Sequence, residues 1–214
     1  MGKFVCIEGI DGTGKSTQFE KLRERLGAAV KAISFPRYED KSSLLLRAYL
    51  NGEYGDSPDA VNPYAASAFF AVDRLASYFT DWRDDYLHGK HILSYRYTTS
   101  NAVHQAAKLP GDEAIPFCDW LFDYEYNKLG LPAPCQVIYL DMSPDVTVAL
   151  LSNRSARDIH ETDDNYRRRC RESGLRVARH YGWHIIDCAP GGKLRTIEDI
   201  HDETYGIVRA FYNL

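Results

Sequence analysis

Short apolar runs alternate with longer stretches of helical period along this chain. Phe4-Val5-Cys6-Ile7 is the first run, and the glycine-rich turn after it leads into a helix expected to start near Lys15. Phe19, Leu22 and Leu26 form that helix's apolar stripe, with Gly27 near its end. Val30 to Phe35 reads as a second strand halted by Pro36, and Ser42 to Leu50 as a short helix closed by Asn51-Gly52. Pro63, suited to a first turn, opens a long helix reaching about Tyr86, with Phe69, Phe70, Leu75, Ala76 and Phe79 on or near its apolar side. Further strands are expected at His91 to Tyr95, Val137 to Leu140 and His184 to Asp187. Further helices are expected over Thr98 to Lys108, over Phe117 to Lys128, from Ser143-Pro144 onward, over Asp163 to Tyr181 and between about Thr196 and Tyr212. This alternation predicts an α/β fold, a five-stranded parallel sheet with helices on both faces.

The 214 residues fit a single domain, 1–214, that can bury its own core. Lys and Arg total 26 against 30 Asp and Glu, a formal charge of −4, which argues against a nucleic-acid-coating protein but leaves room for a local cationic pocket. The five cysteines are widely spaced and form no C-x-x-C pair, so neither a disulfide framework nor a structural zinc is expected, and a reducing, cytoplasmic setting fits. No apolar leader and no uninterrupted run of roughly 18 apolar residues is seen, so neither a signal segment nor a membrane partner is expected.

The sharpest chemical signal is Gly9-Ile10-Asp11-Gly12-Thr13-Gly14-Lys15-Ser16, which fits G-x-x-x-x-G-K-[ST] between an expected strand and an expected helix. Glycines let the backbone bend around an anion with its N–H groups inward, and the helix N-terminus adds partial positive charge. Gly9, Ile10, Asp11, Gly12, Thr13, Gly14, Lys15, Ser16 and Thr17 are therefore the candidate site for the phosphates of a purine nucleoside triphosphate. Lys15 is expected to reach the β- and γ-phosphates, and Ser16 to offer its hydroxyl to Mg²⁺. The loop alone leaves an NTPase, a GTPase and a small-molecule kinase open.

Nearly the whole chain resembles the thymidylate kinase family of P-loop nucleoside monophosphate kinases. The resemblance runs through Ile7 to Gln18, Phe35-Pro36-Arg37-Tyr38, Phe70-Ala71-Val72-Asp73-Arg74, Arg96 to Gln105, and Asn153-Arg154 followed by Arg157-Asp158-Ile159-His160-Glu161. It implies phosphorylation of dTMP to dTDP with ATP and Mg²⁺, an acceptor-nucleotide region about 38–109, a lid about 153–165 and a homodimer. By the same resemblance Phe70 stacks on thymine, while Arg74 and Arg96, with Arg37 nearby, hold the acceptor phosphate. Asp11 approaches the sugar hydroxyl. Ser100, Asn101 and Gln105, with His104 a weaker candidate, line the base pocket, and Tyr166 reaches sugar or base. Lys15, Asp11, Arg96, Arg154 and Arg157 are the expected catalytic set. Bidentate guanidinium groups suit a phosphate, and Phe70 and Arg74 at i,i+4 share one helix face.

Two positions bear on this expectation. The family places an arginine either inside the phosphate loop or in the lid; Gly12 occupies the loop position, so Arg154 or Arg157 of the lid is expected to cover the transferring group. The third strand of the family ends Asp-Arg-Tyr, whereas this chain has Tyr95-Arg96-Tyr97. A neutral phenol is a poor substitute for a carboxylate near Mg²⁺, which leaves Ser16 with Glu8 or Asp11 to serve the metal. Another deoxynucleoside monophosphate specificity and a catalytically impaired nucleotide-binding homologue are the alternatives. The run Arg167-Arg168-Arg169-Cys170-Arg171 reads as a solvated helix face, and His160-Glu161 lacks the continuation of a zinc hydrolase.

Overall fold

The strand β1 (Phe4–Glu8) is buried along its whole length, because helices cover both faces of the sheet at that point. A computed structural model of the protein describes residues 1–151 and 164–214. In chain order it places β1, α1 (Lys15–Leu26), β2 (Val30–Ser34), α2 (Leu44–Leu50), α3 (Pro63–Ser77), α4 (Arg83–Leu87), β3 (His91–Tyr95), α5 (Thr98–His104), α6 (Ala114–Phe122), β4 (Gln136–Asp141), α7 (Pro144–Leu151), α8 (Asp164–His180), β5 (His184–Asp187) and α9 (Ile197–Tyr212). The five strands pair in parallel in the order β2-β3-β1-β4-β5. The order reverses beside β1, so the crevice at the carboxyl ends of β1, β3 and β4 is where an α/β sheet binds its ligand.

Strand alternation divides the core. Val5 and Ile7 of β1, with Ile138 and Leu140 of β4, face Phe19, Leu22 and Leu26 of α1 and Ile200 and Val208 of α9. Phe4 and Cys6 face the opposite way, against Tyr78, Trp82 and Tyr86. Tyr139 of β4 also faces that way and meets Tyr166 and Cys170 of α8. Each fully buried aliphatic or aromatic side chain contributes about 1.5–3 kcal/mol. Gly174 lets α8 lie close to the sheet, since a Cβ there would stand 2.3 Å from the Tyr139 hydroxyl.

The expected strands and helices all appear, with three informative shifts. The long helix from Pro63 passes through a π-helical turn, Tyr78–Trp82, before α4. Tyr78, Trp82 and Tyr86 take the core-facing positions there, so Phe79, one residue on, is 63% exposed instead of lying on the buried side. The helix expected from Phe117 begins three residues earlier, at Ala114, and its last part, Asp123–Lys128, is π-helical. Third, the basic face of α8 is tied to acids. Arg171 makes a two-point pair with Asp141 (2.8 and 2.8 Å), Arg168 pairs with Asp145, Arg169 pairs with Asp59 at 2.9 Å, and Arg167 is buried against Thr147. The solvated face expected from sequence is thus a set of ion pairs that dock α8.

Lys108 gives a pH-dependent stability. Its Nζ donates to the Tyr49 hydroxyl (2.9 Å) and the Val61 carbonyl (3.0 Å), and burial pushes its pKa down to about 8. The unfolded value is about 10.4. Between these values the unfolded chain binds more protons at this residue, so its contribution to stability rises with pH. Thermal unfolding from about pH 7 to about pH 9.5 is expected to show a rise in the wild type relative to Lys108→Met, which lacks the group.

Candidate active site

Between β1 and α1 the chain makes a loop that only glycine can thread at its first turn. Gly9 has φ 146°, and a Cβ there would meet the Leu140 carbonyl oxygen at 2.5 Å and the Thr13 hydroxyl at 2.8 Å. Gly14 caps α1 in the left-handed region, leaving the first amides of that helix directed at the loop. Thr13 donates to the Ile10 carbonyl at 2.9 Å and stabilises the curl. Lys15 is buried; its Nζ donates to the Ile10 carbonyl at 2.6 Å and lies 3.7 Å from the Asp11 carboxylate. Burial pulls its pKa below the ordinary lysine value, with Arg96 adding to the effect and Asp11 opposing it. Ser16 and Thr17 are exposed on the first turn of α1.

Arg96 follows β3 and stands at the centre of the site. Its φ of 60° is unusual for a side-chain-bearing residue, a strain typical of positions held for function. Its guanidinium donates to Asp11, to His104 Nε2 at 3.1 Å and to the Ser100 hydroxyl at 3.4 Å. Since arginine has no acceptor, His104 Nε2 accepts, which places the proton of a neutral imidazole on Nδ1. Burial opposes the charge on Arg96, but Asp11, Tyr95 and Glu8 outweigh it and hold its pKa well above the ordinary value.

Glu8 ends β1 and is fully buried. Its carboxylate accepts from the Ser100 hydroxyl (2.7 Å), the Thr99 hydroxyl (3.1 Å) and the Gly9 amide (3.4 Å). Burial raises its pKa against the pull of Arg96, Ser100 and Lys15. Glu8 therefore braces α5 against the phosphate loop, and of the three metal candidates, Ser16, Glu8 and Asp11, Ser16 is the most exposed. Mg²⁺ is commonly held by one or two protein oxygens with phosphates and waters completing the shell, and an exposed hydroxyl on this first turn suits that donor set. Among the described residues no group of three or more His, Cys, Asp or Glu side chains is gathered as a metal cage.

A cavity of about 380 Å³ opens beside the loop. Asp11, Phe70, Arg74, Tyr95, Arg96, Ser100, Asn101, His104 and Gln105 line it, so most of the acceptor-site candidates meet in one place. Gln105 is buried, and neither of its amide atoms has a hydrogen-bond partner among the described residues. Asn101 donates weakly to the Ser67 carbonyl at 3.5 Å. Three candidates are placed differently from the expectation. Arg74 does line the cavity, but it is neutralised by Glu125 in a fully buried two-point pair (2.7 and 2.5 Å), so it brings no unpaired charge to a phosphate. Arg37 lies outside the cavity lining and is held by Asp73 (3.3 Å), Asp40 (3.2 Å) and Ser42 (3.0 Å). Tyr166 is fully buried and donates to the His104 carbonyl at 2.7 Å, clipping α8 to α5. Arg154 and Arg157 lie outside the described residues. Sequence reasoning did not assign Tyr38, Phe35, Pro36, Leu50 and Tyr97, which also line the cavity; three of them belong to the Phe35-Pro36-Arg37-Tyr38 segment that it singled out.

A phosphate-cradling loop at the switch point of a parallel sheet, next to a cavity with an aromatic wall, amides and one strained arginine, defines a P-loop nucleoside monophosphate kinase. The family model for thymidylate kinase matches residues 7–203. The thymidylate kinase of Mycobacterium tuberculosis is 34% identical over 169 residues, covering 77% of each chain. A probable thymidylate kinase of Thermococcus gammatolerans is 29% identical over 213 residues, covering 97% of this chain and 96% of that protein. The solved thymidylate kinase of Candida albicans superimposes with a TM-score of 0.72 at 22% identity, over 99% of this chain and 93% of its own, a likeness that shows the fold. The chain belongs to the thymidylate kinase family.

Proposed function

We propose that this protein transfers the γ-phosphoryl group of ATP to dTMP, giving dTDP and ADP for dTTP synthesis. The observation that carries this reading is the continuity of the phosphate loop with the acceptor cavity: Asp11 belongs to the loop, pairs with Arg96 and lines the cavity. Phe70 offers a flat apolar face to a pyrimidine. The buried, unpartnered amide of Gln105, with Asn101 one helical turn away, offers donors and an acceptor to its polar edge. Arg74, neutralised by Glu125, suits a neutral base carbonyl better than a phosphate. Arg96 is left to orient the acceptor phosphate, and Asp11 to receive the sugar hydroxyl.

An oxygen of the dTMP phosphate attacks the γ-phosphorus, and the bond from that phosphorus to the oxygen of ADP breaks. Positioning and charge stabilisation do most of the work in such a transfer. Lys15 and the loop amides hold the donor, Arg96 holds the acceptor, and Arg154 or Arg157 covers the transferring group and excludes water. Ser16 would hold Mg²⁺, which neutralises phosphate charge when bound.

The chain is proposed to act as one kinase domain, with an acceptor region about 38–109 and a lid about 153–165. No described helix is long and apolar enough to cross a membrane; a cytoplasmic enzyme is proposed, with ATP and dTMP as its partners and no nucleic acid.

Formation of ADP and dTDP from ATP, Mg²⁺ and dTMP, with dUMP, dCMP and thymidine run beside it, tests the reading. Equal, dTMP-dependent yields of both products are expected. Binding of both nucleotides without dTDP would replace it by the impaired-homologue reading, and preference for another acceptor would replace the substrate.

The homodimer has support on α3 and the π-helical turn that follows it. Val72 is 52% and Phe79 63% exposed, seven residues apart on one face with the half-buried Leu75 and Ala76 between them. Sedimentation is expected to give a dimer for the wild type and a monomer for Val72→Arg/Phe79→Arg. A monomeric wild type would remove the proposal.

A further inference from the structure

A second cavity, of about 220 Å³, opens where the chain enters β4 and β5, away from the phosphate loop at the carboxyl end of β1. Cys135 and Gly182 stand exposed on it, and Thr99 and Val137 are its buried members. Phe122 and Tyr126 stack with centroids 5.3 Å apart and planes 11° apart, and Tyr181 meets Phe122 edge-on at 4.9 Å. With Trp183 these rings give the cavity aromatic walls. Among the described residues no Lys, Arg, His, Asp or Glu lines it. Such a lining offers nothing to a phosphate or a carboxylate and suits a flat, uncharged ring. The volume is below the roughly 300–1,000 Å³ of a drug-sized pocket, which limits the occupant to one or two fused rings.

Thr99 decides the polarity of that ring. A threonine hydroxyl has one proton to give and two lone pairs to receive. The proton goes to Glu8 Oε1 at 3.1 Å, and Cys6 Sγ, 3.3 Å away, takes at most one lone pair. What Thr99 has left is acceptor capacity, and its complement is a ring N–H. The same Glu8 oxygen also accepts from Ser100 at 2.7 Å. Ser100 lines the acceptor cavity and Thr99 lines this one, so the two cavities meet on the first turn of α5 at a single carboxylate oxygen.

We propose that this cavity is a second binding site, for a flat, uncharged heteroaromatic ring that donates an N–H to Thr99, and that its occupancy tightens the binding of dTMP. A donor on Thr99 polarises the hydroxyl toward Glu8 and strengthens the chain of hydrogen bonds from ring to carboxylate. That chain fixes the first turn of α5, which carries Ser100 and Asn101 into the acceptor cavity, so each ligand binds more tightly when the other is present. The coupling rests on the dTMP kinase reading above; the site itself does not.

Cys135 makes the site testable without a mutation, because it is exposed while the other four cysteines are buried. Alkylation of the native protein by iodoacetamide, followed by intact mass, is expected to give one fast addition, at Cys135. Saturating indole is expected to slow that addition about tenfold, with or without dTMP, while 1-methylindole, which lacks the N–H, needs about ten times the concentration for the same protection. Free dTMP alone should leave the rate unchanged. Calorimetric titration of dTMP is expected to show about fivefold tighter binding in saturating indole. Alkylation that indole does not slow, or that dTMP slows as indole does, overturns the second site. Equal potency of 1-methylindole overturns the N–H to Thr99, and a dTMP affinity indifferent to indole overturns the coupling. A protein that neither binds dTMP nor forms dTDP sinks the kinase reading and the coupling with it, whereas protection of Cys135 by indole in that protein still supports the site.

Discussion

Replacing Lys15 by methionine is expected to lower kcat for dTDP formation by about a hundred- to a thousand-fold while leaving the fold and the affinity for dTMP nearly intact. Methionine keeps the apolar stem but removes the ammonium that the loop presents to the donor phosphates. The lysine is buried against the Ile10 carbonyl, and burial already lowers its pKa, so its charge is maintained at a cost to the fold. Its loss should therefore spare stability, because Asp11 keeps its pair with Arg96. Steady-state kinetics with thermal unfolding on the same samples checks both halves. A fall in kcat accompanied by partial unfolding would mean that the ammonium serves the loop, and an unchanged kcat would remove Lys15 from the transfer.

The largest stability effect is expected at Glu125. Its carboxylate accepts from Arg74 at 2.7 and 2.5 Å and from the Thr98 hydroxyl at 2.7 Å, and both charged side chains are almost wholly buried. Burial works against the Arg74 charge; Glu125 more than compensates and raises its pKa. Glu125→Ala leaves a buried guanidinium without its counter-ion, which costs about 3–5 kcal/mol. For a chain of this size that lowers Tm by roughly 10 °C. Arg74→Met/Glu125→Leu, which removes both charges and keeps the volume, should recover most of that stability. It should not recover dTMP binding, because the donor that Arg74 shows to the cavity is gone. Full recovery of both would reduce the pair to packing, whereas loss of dTMP affinity at restored Tm assigns Arg74 to the nucleotide.

The expectation for Arg74 shows where reading the chain stops. Phe70 and Arg74 are four residues apart, and that spacing alone places them on one helix face beside one cavity. It does not contain Glu125, which is 51 residues further on and arrives through a π-helical segment that no local pattern announced. That the arginine lines the cavity was legible, but its counter-ion was not. The partner of Arg37 was illegible for the same reason, since Asp73 reaches it from α3 across 36 residues.

Much else was local and therefore legible. The strands His91–Tyr95 and His184–Asp187 match their apolar runs, Thr196 caps α9 by accepting from the Asp199 amide, and Asn62 caps α3 in the same way. The phosphate loop could be read because its geometry is set by adjacent residues, with glycines where the backbone must turn.

The sequence by itself determined the alternation of strands and helices, the glycine loop between β1 and α1 and several of the residues that line the cavity beside it, because each depends on spacings of a few residues along one element. Only the tertiary structure decided which charges are spent and which remain. Glu8 is bonded by hydroxyls of α5, Arg74 is paired with Glu125 and Arg37 with Asp73, while Arg96 is held in a strained backbone among Asp11, His104 and Ser100. Charge in a protein is settled by partners brought together from distant parts of the chain and by the loss of water around them, and neither is encoded at the residue that carries it.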